Sequence, residues 1–141
     1  MENRYDLSRF VKAQRLSYDT ALEKIRRGRK RSCWMWFVFP QLKQLGRSDT
    51  SRFYGIDGLD EARAYYADPL LGGRLREITE ALLQLDSDDP SDVMGYPDDM
   101  KLRSSMTLFE AAAPECPLFS AVLEKYFSGN RDMRTLKLLG L

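Results

Sequence analysis

Apolar residues in this chain return every third or fourth position and almost nowhere alternate. Leu7, Phe10, Val11, Tyr18, Ala21, Leu22 and Ile25 form one such series, and Leu71, Leu75, Ile78, Leu82 and Leu85 form another. Only a helix brings positions spaced this way onto one face. The chain must therefore bury its apolar stripes against other helices. The punctuation agrees. Asp6 stands where a side chain caps the first helix, and Gly28 where a left-handed residue closes it. Asp68-Pro69 starts the second series with a cap and a proline at the first helical position. "LDEARAYYA" (59–67) reads as a short helix, and "DSDDPSD" (86–92) as an acidic loop with another Asp-Pro start, its short turn closed by Gly95. Pro97-Asp98-Asp99 opens a helix to about Ala113. Pro117 starts one through Phe127, closed by Gly129, and Asp132 caps the last. Residues 42–58, rich in Gly, Ser and Asp, read as loop or short turns. The pattern predicts an all-α fold, a compact bundle of six or more helices, with room for a minor β element near Phe53–Ile56. At 141 residues, with no repeat and no long linker, one helical domain spanning 1–141 is expected.

Composition narrows the function classes. Hydrophobic residues make up 43% of the chain and the formal net charge is +1, whereas disorder needs low hydrophobicity and high net charge. No global field draws nucleic acid or an anionic membrane, so any electrostatic attraction must be local. There is no histidine, and the two cysteines, Cys33 and Cys116, form no CxxC pair. The usual zinc site, the Ser-His-Asp triad and the Cys-His dyad are excluded. No metal or cofactor is expected, and so few cysteines make no disulfide framework. "MENRYDLSRFVKAQ" has no apolar signal-peptide core, and the longest apolar run is far shorter than a membrane span. A cytoplasmic protein with reduced thiols follows.

The run "RRGRKRSCWMWFVFPQ" (26–41) sets the densest positive charge against the most hydrophobic segment. Five of its first six residues are cationic, and the seven from Cys33 to Phe39 are apolar. An unbroken apolar run avoids water only by burial on all sides, as helix or strand, so Trp34 and Phe37 are expected in the core. The basic half is then either a solvated loop complementing a helix C-terminus or an anion site. In the second case Lys30 and Arg31 would bind the anion, and Trp34 would offer a flat face to a ring. Duplex DNA is a poor match, because five charges are a small footprint and no recognition helix is visible.

Helix phase also points polar side chains inward. Gln14 falls in the centre of the first apolar stripe, and Arg74 lies on the shoulder of the second. Asp98, Lys101 and Ser105, spaced i, i+3 and i+7, face a sector that Leu108 and Ala112 widen. Charged groups are rarely buried without partners. The cluster is therefore either a polar network fastening the helices or a pocket between them.

The stretches "DLSRFVKAQ", "GRKRSCWMWFVFPQL", "YGIDGLDEARAYYADPLLGGRLRE", "KLRSSMTLF" and "YFSGNRDMRTLKLLG" resemble one family closely, in order from about Asp6 to Gly140. This is the bacterial domain-of-unknown-function family 1810, whose members sometimes carry the name calpastatin. True calpastatin-type inhibitors are disordered, and this chain has a core. The resemblance implies a compact, mainly helical domain and transfers no catalytic residue. The family usually has histidine where this chain has Cys33, and often where it has Asp68. A looser analogy, at the level of fold alone, is to the helical N-glycosidases that handle riboflavin intermediates and ADP-ribose adducts.

Together these features predict an interhelical pocket for a phosphorylated, nucleotide-like small molecule. Lys30, Arg31 and Arg74 would hold anionic groups and Trp34 would stack. Gln14, Lys101 and Ser105 would orient the polar part. Asp98 would serve as acid or base if N-glycosidic hydrolysis occurs. The alternative is a non-enzymatic interaction protein that docks an acidic partner through the loop 26–31.

Overall fold

The computed structural model describes residues 5–28, 35–96 and 98–141, the side chains of Met35 and Trp36 excepted. Over these residues the chain is all-α, as the spacing predicts. The helices are α1 (Ser8–Arg26), α2 (Met35–Val38), α3 (Asp49–Phe53), α4 (Leu59–Ala67), α5 (Pro69–Leu83), α6 (Pro90–Met94), α7 (Asp98–Ala112), α8 (Leu118–Phe127) and α9 (Met133–Leu139). A single parallel bridge joins Leu42 to Ile56, which is all that forms of the expected β element. α7 packs on α4 and α8, while α5 packs on α1, α4 and α8. Phe10, Tyr65, Leu71, Leu75, Phe109 and Phe119 are fully buried where these helices meet.

Local chemistry sets the helix ends. Asp68 accepts from the N–H groups of Leu70 and Leu71, with Pro69 opening α5. Asp132 accepts from Thr135 N–H at 3.0 Å at the start of α9. Asp6 takes the N–H of Ser8 at 3.1 Å, although Leu7 occupies the cap position of α1. The sequence misses α3. Ser48 and Ser51 form a reciprocal capping box, and Ser at both ends of that box looks like loop composition until the two hydroxyls are seen to pair.

The apolar run is corrected in part. Residues 35–38 form a helical turn, and Val38 and Phe39 are buried, but Phe37 is half-buried against Tyr54, ring centroids 5.3 Å apart. Trp34 and Cys33 lie outside the described residues.

Two side chains of α8 close the C-terminal end of α5. Tyr126 Oη donates to Leu82 O at 2.6 Å, and Lys125 Nζ donates to the carbonyls of Leu83 and Leu85. Carbonyls at and just beyond a helix C-terminus lack the intrahelical donors of the interior, and these two side chains supply donors there. Burial pushes the Tyr126 phenol up to about 12.

A charged tie, absent from the sequence reading, anchors α1 to α4. Arg9 donates from Nη2 to Glu61 at 3.0 Å and to Gly55 O at 2.9 Å, and from Nε to Phe53 O at 2.8 Å. Glu61, itself 3% exposed, also accepts from Asp57 N–H at 2.7 Å. The pair fixes residues 53–57, and through the bridge at Ile56 it fixes the segment from Gln41 to Leu45.

Candidate functional site

Two polar assemblies occupy different parts of the bundle. The first centres on Gln14, which is 1% exposed. Its Nε2 donates to Phe37 O at 2.6 Å and to Tyr65 Oη at 2.9 Å. Tyr65 Oη in turn donates to Phe37 O at 3.2 Å, and Arg74 Nη1 donates to Gln14 Oε1 at 3.4 Å. The Arg74 guanidinium lies 4.9 Å from the centroid of the Tyr18 ring, and the Tyr18 hydroxyl donates to Glu77 at 2.7 Å. Gln14 and Arg74 therefore do meet, as their stripes require. Every hydrogen-bonding atom of the Gln14 amide finds protein, so this assembly fastens α1, α4, α5 and the turn at Phe37.

Burial pushes the Tyr65 phenol up, opposed by the hydrogen bond from Gln14; burial and then the Glu77 hydrogen bond push Tyr18 up. The native state thus keeps these protons while the unfolded chain begins to lose its own near pH 10. The contribution of these two phenols is constant below about pH 10 and falls as pH rises beyond it, by roughly 1.4 kcal/mol per pH unit for the fully buried Tyr65 alone. Chemical denaturation from pH 9 to 11.5 should show this decline. Tyr65→Phe should make the slope shallower, and an equal slope would show that Tyr65 ionises alike in both states.

The second assembly is a cleft of about 570 Å³ between the segment 41–51, the N-terminal half of α7 and the start of α9. That volume lies within the range of small-molecule sites. Arg47, Lys101 and Arg134 line it beside one carboxylate, Asp132, together with Gln41, Ser48, Ser51 and Ser104 and the apolar side chains of Leu45, Tyr96 and Met100. Asp132 is already engaged by Thr135 N–H and Thr135 Oγ1, with Arg103 Nη2 at 4.0 Å. Three cations against this one lining carboxylate leave the cleft cationic, Lys101 being also paired with Asp98. Tyr96 is 79% exposed and Met100 48% exposed, which leaves a flat aromatic face and a pliable thioether at the rim.

Close backbone packing shapes this wall. A Cβ on Gly55 would lie 2.4 Å from Lys43 Cα, and one on Gly46 would lie 2.7 Å from Ser51 Oγ. Only glycine lets the 42–46 strip lie against 51–56. Beyond Asp132 and Arg134 a second cleft of about 620 Å³ opens along Gly129–Met133.

The predicted residues are thus divided. Lys101 lines the cleft, 3.4 Å from Asp98 in an i, i+3 ion pair. Asp98 is not among the lining residues, and neither are Gln14, Arg74 or Ser105. Ser105 is fully buried and its hydroxyl has no hydrogen-bond partner among the described residues, while its neighbour Ser104 faces the cleft. Lys30 and Arg31 lie outside the described residues, as does Trp34. Of the basic run, Arg27 pairs with Glu23 at 2.6 Å on an exposed surface. Gln41, Arg47 and Arg134 were missed: Gln41 lies just past Pro40, where the apolar run ends, 42–58 read as loop or short turns, and α9 as a short capped helix.

Fold and cleft together define an all-α bundle with a cationic interhelical cleft. Comparison places it among known proteins: the profile of the family described as "Protein of unknown function (DUF1810)" matches residues 4–139, and the chain belongs to that family. The crystal structure of the conserved hypothetical protein Rv1873 from Mycobacterium tuberculosis is similar throughout, with a TM-score of 0.96, 47% identity and 99% of each chain covered. No curated protein matches the chain. No helix among the described residues is long and apolar enough to cross a membrane, and no cluster of potential metal ligands occurs among them.

Proposed function

We propose that the protein binds a small phosphorylated molecule in the cleft between segment 41–51, α7 and α9. The observation that carries this reading is the convergence of Arg47, Lys101 and Arg134 on one concave surface whose single lining carboxylate is engaged elsewhere. Guanidinium groups match phosphate oxygens in pairs, and an ammonium adds a point charge. Tyr96 stands exposed beside them, placed to cover a flat ring.

The reading keeps the ligand class expected from the sequence and moves its site. Lys101 is retained but moves from orienting the polar part to binding the anion, while Arg47 and Arg134 take the part assigned to Lys30, Arg31 and Arg74. Pyrophosphate or ADP should raise the melting temperature more than chloride at equal ionic strength, because screening depends on ionic strength alone whereas site binding depends on the ligand. The double variant Arg47→Ala/Arg134→Ala should lose that difference and keep its basal melting temperature, both side chains being exposed. An undiminished response in the double variant would move the anion site elsewhere.

A further inference from the structure

Gln41 is a polar side chain 7% exposed that lines the cleft. Its backbone is committed, since Ile56 N–H donates to Gln41 O at 2.9 Å. Its side-chain amide has no hydrogen bond from any described residue, unlike Gln14, whose amide is fully engaged. Nor is it sealed in: the deeply buried orphan side-chain atoms are Thr79 Oγ1, Arg103 Nε and Ser105 Oγ, and the part of Gln41 that remains accessible opens on the cleft.

No protein group among the described residues holds this amide, and it opens on the cleft, so its donor and acceptor are left for whatever fills the cleft. The group presents an N–H donor and a carbonyl acceptor side by side. Its complement is a planar edge with an adjacent acceptor and donor, as on a nucleobase, which glutamine pairs with in bidentate fashion. Sugar hydroxyls and phosphates do not offer that planar pair.

We infer that Gln41 reads the hydrogen-bonding edge of a nucleobase, so that the ligand of the cleft is a nucleoside phosphate. Resting on the cleft reading above, this gives each wall a task. Arg47, Lys101 and Arg134 take the phosphates, Tyr96 covers the base, and the Gln41 amide selects it.

The test is isothermal titration of the full chain with pyrophosphate, ribose 5-phosphate and the four common nucleoside diphosphates, for the parent and for Gln41→Met. Methionine keeps the length of glutamine and removes its hydrogen-bonding groups. At least one nucleoside diphosphate should bind the parent tenfold or more tighter than either baseless phosphate. Gln41→Met should erase that preference, leave pyrophosphate affinity unchanged and keep the melting temperature of the ligand-free protein, since no protein group loses a partner. Pyrophosphate binding without any nucleotide preference in the parent overturns the assignment of Gln41 while the anion cleft stands. A preference that survives in Gln41→Met overturns it too, as does a lowered melting temperature, which would make the amide a structural partner. Binding of neither class overturns the cleft reading and this inference together.

Discussion

Glu61→Ala is expected to destabilise the protein by about 3–5 kcal/mol, the range for removing one partner of a buried ion pair. The carboxylate is 3% exposed and holds two donors, Arg9 Nη2 at 3.0 Å and the Asp57 N–H at 2.7 Å. Its loss leaves a guanidinium with 14% of its side chain exposed facing an emptied site. Arg9 still has the carbonyls of Phe53 and Gly55, but these carry no compensating charge. Glu61→Gln keeps an acceptor for one of the two donors and should cost less than alanine. Urea denaturation of the three proteins gives the order. A loss under about 1 kcal/mol for Glu61→Ala, the level of an exposed pair, would show that water reaches Arg9. The consequence also reaches the cleft, since Arg9 holds residues 53–57 and Ile56 bridges to Leu42 beside Gln41.

That chain of support explains what could and could not be read from the sequence. Helix periods are local, so α1, α4, α5, α7 and α8 follow from spacing, and the caps at Asp68 and Asp132 follow from single residues. Gln14 was legible because an amide amid Phe10, Val11 and Tyr18 has only one place to point. The partnership of Arg9 with Glu61 was not, because both residues sit in ordinary polar contexts and are brought together only by the packing of α1 on the 53–61 segment.

The cleft is hidden for the same reason. Lys101 gave a signal through its position on α7. Gln41, Arg47 and Arg134 come from a loop and a terminal helix whose composition is typical of solvated surface. No periodicity marks a loop residue that another element will cover. Burial of Gln41 arises from the Leu42–Ile56 bridge, a contact between positions far apart in sequence and without strand alternation.

Helix α7 separates the fold from the site, and the second large effect tests that separation. Phe109→Ala should cost about 3–5 kcal/mol, as expected when a fully buried phenyl group leaves a cavity. The ring is 0% exposed and lies 5.4 Å from Tyr65 and 5.8 Å from Phe119, centroid to centroid. It therefore joins α4, α7 and α8 at once, and no single neighbour can move into the space without leaving another contact. Its position is two turns beyond Lys101, at the end of α7 away from the cleft. The folded fraction of Phe109→Ala should still be stabilised by pyrophosphate as the parent is, with the midpoint lower at every ligand concentration. Arg47→Ala/Arg134→Ala should show the reverse, an unchanged midpoint and no response to pyrophosphate. Should Phe109→Ala lose the pyrophosphate response while remaining folded by circular dichroism, the cleft would depend on core packing as a whole. A midpoint shift worth less than about 1 kcal/mol would instead show that the neighbouring helices collapse into the vacated volume.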